Sequence, residues 1–541
     1  MATETKKDLL PTPETKPGCS GKFNPYKEVV IMGVSFMLIY CCYGSVVGLQ
    51  STINIKGGLG TTSLMVISII SAVSSLTLVP FIIDFLGAKT ALMIGEAGSV
   101  LFITANFYAR WYTLMPAAVI DGFVDGAIWP GSGMYITWLG TKAFRRFKNR
   151  HPDKEITKES FLSRYFGYFY TFMFCGDLLT SGLTTLSLMA FTNLGPPAEM
   201  SSNQTQPELE TMPVNESDAM EQSMFGDISQ CGANECQSNF MSANLTDEDL
   251  EMYIPSKNSL YLLCGLGMAF GLTAIAIQFF CLPPAPSRYE QERKAKKALK
   301  LEYNGATDRH ETKLDDGKEE NDEENDDNKV ANVRKEMRML LRHFVSPLNL
   351  LVIPFLFYCG LYIGFQLTEY PRAFVSCVNG VEQVGIAYVV LSVSGVSTSV
   401  LCSQLIPKIG LRRFLIIVFF VHLTIYLVCR FWVPTVDTKW ASYVIAVIIG
   451  IGGSSIFNTM PLVTNRFFED SLAAAFGTQN CFMAFGYAFS TGWSLGVCVY
   501  AKIYLLLGFL ILAFVCLIGA ELLRDRKLKQ KKEEEEKNDI A

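Results

Sequence analysis

Long uninterrupted apolar stretches constrain this chain more than any other feature. Twelve of them, each of roughly 20 residues, recur along the 541 residues, and about 20 helical residues cross the ~30 Å hydrocarbon core of a bilayer. Half of the residues are hydrophobic and only 18% are charged, too few charges for the surface of a soluble protein of this length. The sequence therefore predicts an all-α polytopic membrane protein with about twelve transmembrane helices. The predicted spans are 29–49, 64–83, 90–108, 112–139, 165–191, 257–281, 348–370, 384–406, 412–432, 440–460, 472–498 and 501–522.

The spans fall into two groups of six, separated by a charged segment. Six spans, a linker and six more spans is the layout of transporter folds built from two related halves. No A-x-A-like cleavage pattern follows the first apolar stretch, so we interpret it as a retained span. The predicted parts are an N-terminal tail 1–28, a first half 29–283, a linker 284–345, a second half 346–523 and a C-terminal tail 524–541.

The distribution of basic residues predicts the orientation in the membrane. Segment 141–164 carries eight Lys and Arg residues, and Lys408, Arg412 and Arg413 follow the eighth span. Because basic residues near span ends are retained on the cytosolic side, both places are predicted to be cytosolic. The linker, with basic ends around an acidic centre at 315–327, is predicted to be disordered. Both termini are then cytosolic, and a location in the cell membrane is favoured over endomembranes.

The loop 193–256 is predicted to lie outside the cell. It holds twelve acidic residues and no Lys or Arg. It also holds three Asn-X-Ser/Thr acceptor sites for N-glycosylation, at Asn203, Asn215 and Asn244. Since charge and acceptor sites agree, we expect a glycoprotein.

Most of the fifteen cysteines lie in apolar spans, where Cys is a common small packing residue. Cys231 and Cys236 in the outer loop and Cys377 in the turn 371–383 differ, because all three would face an oxidising compartment. A disulfide among them is predicted, with the pairing left open.

Two short turns share one pattern. Residues 80–90 (PFIIDFLGAKT) join the second and third spans, and residues 404–413 (QLIPKIGLRR) join the eighth and ninth. In each, a base follows a glycine by two residues. This resembles the loop motif of the major facilitator superfamily, in which Gly permits a tight turn and the charges dock against neighbouring helix ends.

More specific motifs lie in the first half. They are GLQSTIN at 48–54, GLGTTSL at 58–64, NFYARWYTLMP at 106–116, WPGSGMYIT at 129–137 and YFG at 165–167. Together they resemble the Unc-93 family, which the second half matches in layout and in FGTQN at 476–480. The resemblance implies a major facilitator fold used by an accessory protein, which regulates a potassium channel or escorts receptors between compartments.

Ionisable side chains inside the spans are the candidate functional groups, because they are costly in lipid and usually face a cavity or a partner. Asp121 and Asp125 are four residues apart and so share one face of a helix. Glu96, Asp177 and His422 complete the set. These groups could bind a proton or a cation during coupled transport. The alternative is that they line a hydrated crevice or join helices by hydrogen bonds.

An enzyme is not expected. The sequence has no nucleotide-binding Gly-Lys-Ser/Thr loop, no helical pair of His ligands and only four histidines. We therefore expect no catalytic residue, no cofactor, no bound metal and no nucleic-acid partner. The lipid bilayer is one expected partner, and a potassium channel or receptor is another.

Three functions stay open from the sequence. The leading hypothesis is a regulator of an ion channel or of membrane-protein trafficking at the cell surface. The alternative is a secondary transporter of an unknown small solute, with ion or proton coupling through Asp121, Asp125, Glu96 or Asp177 and alternating access of the two halves. A trafficking factor resident in endomembranes is the third.

Overall fold

The computed structural model describes residues 25–54, 59–192, 228–236, 257–287, 338, 340–380, 383–493 and 497–540. Asn203, Asn215 and Asn244 and the acidic centre of the linker lie outside these residues, so glycosylation stays a prediction. The described residues form helices and turns, without a β-strand. The two ends of the helical bundle are called the cap side, which carries residues 228–236, and the linker side, which carries residues 283–287 and 340–346.

In the described residues of the first half there are eight α-helices. They are α1 (Pro25–Ile53), α2 (Leu59–Thr77), α3 (Val79–Leu86), α4 (Ala88–Ala105), α5 (Trp111–Asp125), α6 (Ile128–Arg150), α7 (Lys158–Thr192) and α8 (Lys257–Cys281). The second half contains six long helices. They are α9 (Pro347–Gly364), α10 (Val384–Ile409), α11 (Leu411–Phe431), α12 (Ala441–Phe467), α13 (Leu472–Gly492) and α14 (Val499–Ile540).

Each of the twelve predicted spans is largely helical in the described residues. By length and apolarity, eight of the described helices can cross a membrane, and a ninth span results if α2 and α3, which meet at a bend of 54°, count as one. The remaining spans are helical but more polar, and they include α5 and α7, which carry Asp121, Asp125 and Asp177. The protein is a multi-pass membrane protein of the all-α class.

Several span boundaries differ from the prediction, including those of the fourth, seventh and eleventh spans. The fourth span, predicted as continuous over 112–139, breaks between α5 and α6, where Pro130 in the first turn of α6 lacks a backbone donor. The seventh span continues beyond 370 as a π-helical segment, Phe365–Ser376, whose wider turns accommodate Pro371. Helix continues to Asn379, so Cys377 lies at a helix end and not in a turn. The eleventh span ends at Gly492, before the predicted residue 498.

The two halves meet along two helix pairs, α7 with α10 and α2 with α13. Both contacts are close because one partner is a glycine. A Cβ atom at position 167 would lie 2.4 Å from Cβ of Ser403, and one at position 477 would lie 2.3 Å from the backbone oxygen of Ser75. Asn480 of α13 donates a 2.6 Å hydrogen bond to Ser75 Oγ at the same crossing. At these two crossings the glycines allow the helices of the two halves to approach closely.

Aromatic side chains fill the centre of the bundle. Phe36 of α1 packs on Trp129 of α6, with ring centroids 5.4 Å apart. Trp129 stacks on Phe457 of α12 at 6.1 Å, and Phe457 contacts Tyr170 of α7 at 5.6 Å. Helices of both halves therefore share one apolar core.

Residues 228–236, here named the cap segment, belong to the loop that the sequence assigns to the first half, yet they pack on the second. Gly232 lies beside Pro434 and Phe374, since a Cβ atom there would be 3.5 Å and 3.6 Å from their side chains. The backbone N–H of Val499, at the start of α14, donates to the carbonyl of Glu235 at 3.0 Å. The cap segment thus covers the end of the second half.

Candidate functional site

Asp121 and Asp125 lie on α5 and hydrogen-bond to different helices. Asp121 is fully buried and accepts from Tyr43 of α1 at 3.2 Å and from Ser99 of α4 at 3.5 Å. Asp125 accepts from Ser71 of α2 at 2.8 Å. Each carboxylate therefore joins α5 to a neighbouring helix of the first half. The two do not converge on one shared partner.

Glu96 on α4 lies in a separate polar cluster. Its side chain is fully buried, and Oε1 accepts a 2.6 Å hydrogen bond from Gln278 of α8. The same amide nitrogen of Gln278 lies 3.2 Å from Ser35 Oγ of α1. Glu96 Oε2 and Gln278 Oε1 have no hydrogen-bond partner within the described part of the chain. This cluster ties together α1, α4 and α8.

Asp177 on α7 differs from the other three carboxylates. Its side chain is half-buried, and within the described residues no hydrogen bond or ion pair reaches its carboxylate oxygens. Its helix packs on α1 of the first half and on α10 of the second. Asp177 therefore lies on a helix that contacts both halves.

His422 on α11 is part of a buried network in the second half. Its Nε2 lies 3.2 Å from the carbonyl of Gly452, which can only accept, so Nε2 carries the proton. Nδ1 then accepts from the hydroxyl of Tyr358 at 2.7 Å, and Tyr358 accepts from Tyr426 at 2.9 Å. This arrangement satisfies a neutral histidine and joins α9, α11 and α12.

Four charged residues that the sequence analysis did not single out lie on the cap side. Lys502 of α14 and Glu369 of the π-helical segment are fully buried and form an ion pair of 2.8 Å. Arg372 binds Glu369 at 2.7 Å and also contacts Glu235 of the cap segment. Burial raises the pKa of Glu235, and the nearby Arg372 opposes this shift. The only sequence signal was a Glu and a Lys inside otherwise apolar stretches.

Two disulfides fasten the cap segment to the second half. Cys231 pairs with Cys377, as one of the pairings that the sequence left open, and Cys236 pairs with Cys498. The sequence analysis placed Cys498 at the end of a span and did not consider it. Both bonds therefore join residues that are distant in sequence.

Charged residues also cluster on the linker side. Arg466, at the end of α12, binds Glu159 of α7 at 2.6 Å and Glu521 of α14 at 2.6 Å. Arg412 binds Glu521 and Asp525, each at 2.6 Å. The pair of Arg466 and Glu159 crosses between the halves. Together these five residues are named the linker-side ion cluster.

Known protein families match this chain in two blocks. The family model described as "Ion channel regulatory protein UNC-93" matches residues 50–151, and that of the Major Facilitator Superfamily matches residues 254–491. Protein unc-93 homolog A of Homo sapiens is 26% identical over 496 residues, which cover 90% of this chain and 92% of that protein. These matches confirm the resemblance to the Unc-93 family that the motifs indicate. Another relative is the unc-93 protein of Caenorhabditis elegans, which is provisionally named as a potassium channel regulatory protein. The two sequences are 23% identical over 96% of this chain and 63% of that protein.

A solved structure shares the fold of this chain. The human organic anion transporter MFSD10 superposes with a TM-score of 0.52 over 92% of this chain and 100% of that chain, at 11% sequence identity. The likeness concerns the fold alone. The chain therefore has the major facilitator architecture that its two six-span halves predict.

The loop motif shared by the two halves has the same geometry in both. Gly87 and Gly410 adopt φ angles of 86° and 82°, a region that favours glycine. Lys89 donates to the carbonyls of Phe279 and Leu282 at the end of α8, at 3.0 Å and 2.6 Å. Arg412, at the equivalent place, instead binds carboxylates of α14. Each turn is thus docked on the last helix of its own half.

The residues that carry the Unc-93 resemblance form an amide cluster. Asn106 Oδ1 accepts from Gln50 at 2.7 Å and from Asn54 at 3.0 Å. Asn54 also donates to Gln50 Oε1 at 2.7 Å. These contacts fasten the end of α1 to the end of α4. The Unc-93 motif at this place therefore has a structural role in the first half.

Proposed function

We propose that this chain is an accessory protein that regulates a potassium channel within the membrane. The observation that carries the proposal is the match of residues 50–151 to the family of ion channel regulatory proteins. These residues form the end of α1 and the whole of α2 to α6. The name of the Caenorhabditis elegans relative supports a potassium channel as the partner.

The carboxylates of the first half support this proposal. In a coupled transporter, carboxylates near the middle of the membrane are expected to face the transport pathway. Here Asp121, Asp125 and Glu96 accept hydrogen bonds from neighbouring helices. A role in holding the helices together accounts for these contacts without any moving solute.

The aromatic centre gives further support. Phe36, Trp129, Tyr170 and Phe457 bring α1, α6, α7 and α12 together. Apolar contacts there favour a stable scaffold whose lipid-facing surface is available to another membrane protein.

The proposal includes a location and an orientation. We place the protein at the cell surface with both termini in the cytosol, because basic residues flank the linker-side ends of the spans. The cap side is then extracellular, and Asn203, Asn215 and Asn244 are glycosylation sites there.

The major facilitator fold favours a secondary transporter as the second candidate function. Asp177, whose helix contacts both halves, is the residue that such a mechanism would use. A flux carried by the purified protein with no channel present distinguishes the secondary transporter from the channel regulator.

The test combines recordings and flux. Potassium channels are expressed singly in cells with and without this protein, and whole-cell potassium current and resting potential are measured. Surface labelling before and after N-glycosidase treatment of the same cells reports location and glycosylation. We expect the current of at least one channel to change, and no change in cells that lack that channel.

Reconstitution supplies the control. Purified protein in liposomes should carry no rubidium flux above that of empty liposomes. Unchanged currents for every channel, despite protein at the surface, would contradict the proposal. Flux in liposomes that Asp177→Asn abolishes would favour the transporter instead.

A further inference from the structure

A groove on the outside of the bundle lies where helices of both halves meet. Its volume is about 210 Å³. α1 and α7 of the first half line it together with α10 of the second half. The lining residues are Tyr26, Val29, Val30, Tyr168, Thr171, Phe172 and Val400. A molecule in this groove, here named the outer groove, therefore contacts both halves at once.

The outer groove faces the lipid and not the centre of the bundle. Val30 is 44% exposed and Val400 is 40% exposed, although both lie in helices that are long and apolar enough to cross a membrane. Apolar side chains on the outside of a spanning helix contact acyl chains. Tyr26 packs edge-on against Tyr168, with ring centroids 6.3 Å apart, and tyrosine is typical of the headgroup level. The groove therefore extends from the headgroups into the hydrocarbon.

The outer groove lies within the leaflet on the linker side. Glu159, near the start of α7, belongs to the linker-side ion cluster, so α7 begins at that end. Each helical residue rises about 1.5 Å, which places Phe172 ~12 Å beyond Arg164 along α7. This depth is less than half of the ~30 Å hydrocarbon core. An acyl chain that starts at the level of Arg164 would therefore follow the groove inside one leaflet.

Two basic side chains lie at the linker-side end of the outer groove. Lys27 follows Tyr26 on α1, and its side chain is exposed. Arg164 precedes Tyr165 on α7 and is exposed as well. Tyr26 stacks on Tyr165 with ring centroids 5.6 Å apart, so the two bases lie at the same level of the bundle. Arg164 is also one helical turn before Tyr168, which lines the groove.

A third base comes from α10. Lys408 and Val400 are both exposed, and a spacing of eight residues places them on one stripe of the helix. Lys408 lies four residues before Arg412, which belongs to the linker-side ion cluster. α10 therefore adds a base at the same end of the groove. The three exposed bases Lys27, Arg164 and Lys408 are named the basic rim.

The basic rim is not neutralised by the protein. Within the described residues, no salt bridge joins Lys27, Arg164 or Lys408 to a carboxylate. The acidic neighbour Glu28 is only 8% exposed. Basic residues at span ends also orient a protein in the membrane, but that role does not require an apolar groove beneath them. A basic rim above an apolar groove is complementary to an anionic headgroup with its acyl chain.

We propose that the outer groove binds an anionic phospholipid of the linker-side leaflet, with the phosphate at the basic rim and an acyl chain along the groove. In the orientation proposed above this leaflet is cytosolic, where anionic lipids are concentrated. Because α7 and α10 belong to different halves, the bound lipid should hold the halves together. The site does not depend on the proposed channel regulation, since all of its side chains belong to this chain.

The test measures lipid binding to the purified full-length protein in detergent. Phosphatidylserine and phosphatidylcholine with the same acyl chains are each added over a range of concentrations, and cholesterol is a separate arm. Native mass spectrometry counts the lipids that the protein retains, and thermal unfolding gives the Tm. We expect phosphatidylserine to be retained at lower concentration than phosphatidylcholine and to raise the Tm more.

The first variants test the basic rim. Arg164→Gln should weaken phosphatidylserine binding by about fivefold, because one base near an anionic lipid is lost. Arg164→Lys keeps the charge and should bind within about twofold of the wild type. Arg526→Gln is the matched control, since it removes an equally exposed base from α14, which does not line the groove. It should bind as the wild type does.

The second variants test the outer groove itself. Val400→Trp fills the groove without changing the charge, so it should weaken the binding of both phospholipids. Val393→Trp is the matched control, because Val393 is 50% exposed and lies on the same helix two turns away, outside the groove. Both valines are exposed, so the lipid-free variants should unfold at the Tm of the wild type.

Four outcomes would overturn the proposal. One is equal retention of the two phospholipids by the wild type. Another is a binding loss in Arg164→Gln no larger than that in Arg526→Gln. The third is phosphatidylserine binding by Val400→Trp that equals that of Val393→Trp. The fourth is a rise in Tm with cholesterol as large as that with phosphatidylserine, which would assign the groove to a sterol.

Discussion

At the scale of the residue, the sequence pointed to four carboxylates within the spans but not to their partners, and it did not point to the buried pair of Glu369 and Lys502. Composition and span position were enough to single out Asp121, Asp125, Glu96 and Asp177. The hydrogen bonds of Asp121, Asp125 and Glu96 come from residues 22 to 182 positions away, and separations of this size leave no local pattern to recognise. The sequence could therefore say that these groups matter, but not that three of them join helices.

His343 shows how a residue outside the spans can make stability depend on pH. It lies on the linker side, where Nδ1 is 3.0 Å from Ser471 Oγ and its ring packs on Phe468 at 4.7 Å. Burial lowers its pKa from 6.5 to about 4. Since the unfolded side chain gains a proton at higher pH than the folded one, stability is complete above pH ~6.5 and falls from there down to pH ~4.

We predict that lowering the pH from about 7.5 to about 5 destabilises the wild type by about 2 kcal/mol through His343 alone. His343→Gln, which has no proton to gain, should lose that part of the pH dependence. Thermal unfolding of both proteins in detergent at the two pH values measures the difference. If the two Tm values fall equally, protonation of His343 does not control the stability of this end.

At the scale of the element, apolar length predicted the spans well and their interruptions poorly. The break between α5 and α6 accompanies a close approach to α2, since a Cβ atom at position 126 would lie 2.9 Å from the carbonyl of Ser71. The π-helical segment around Pro371 likewise lies within a stretch for which the sequence predicts an ordinary helix followed by a turn. Such features arise from packing between helices, so a span read by itself does not show them.

Gly477 of α13 tests how tightly the halves are packed. Because a Cβ atom there would meet a backbone oxygen of α2, which cannot rotate away, we predict that Gly477→Ala costs about 1–3 kcal/mol of stability. Gly492 is the matched control in the same helix, since nothing lies within 4 Å of a Cβ atom at that position.

Thermal unfolding of the two variants in detergent measures the effect. Gly477→Ala should unfold at a lower temperature than the wild type, and Gly492→Ala should not. A Gly477→Ala protein with the Tm of the wild type would show that α2 and α13 separate at little cost.

At the scale of the whole molecule, the two-half layout followed from the sequence, but the contacts between the halves did not. The spacing of spans and the charged linker predicted six helices on each side. Arg466 meets Glu159 across 307 positions of sequence, and the cap segment packs on the half opposite to the one its chain position suggests. Neither contact has a signal in composition or periodicity.

The linker-side ion cluster should contribute to holding the halves together. Arg466 is 15% exposed and Glu159 is 27% exposed, so the pair is screened less than a surface ion pair. Arg466→Glu faces both Glu159 and Glu521, and we predict that it lowers stability by about 2–4 kcal/mol. The double variant with Glu159→Arg should recover part of that loss.

Thermal unfolding of both single variants and the double variant gives the coupling energy. Lys529 and Glu533, a solvent-exposed pair 4.0 Å apart on α14, provide the control, and their charge swap should change the Tm little. Additive effects of Arg466→Glu and Glu159→Arg would show that the two side chains do not interact in solution.

The fastening of the cap segment has a consequence for how the protein is made. The partner of Cys231 is synthesised 146 residues later in the chain, and the partner of Cys236 is synthesised 262 residues later. At about 5–20 residues synthesised per second, Cys236 stays without its final partner for roughly 13 to 52 seconds. During that time it lies five residues from Cys231, the nearest thiol with which it could pair wrongly. With the cap side in the oxidising compartment, as proposed above, the disulfide between Cys236 and Cys498 can close only after Cys498 has been synthesised.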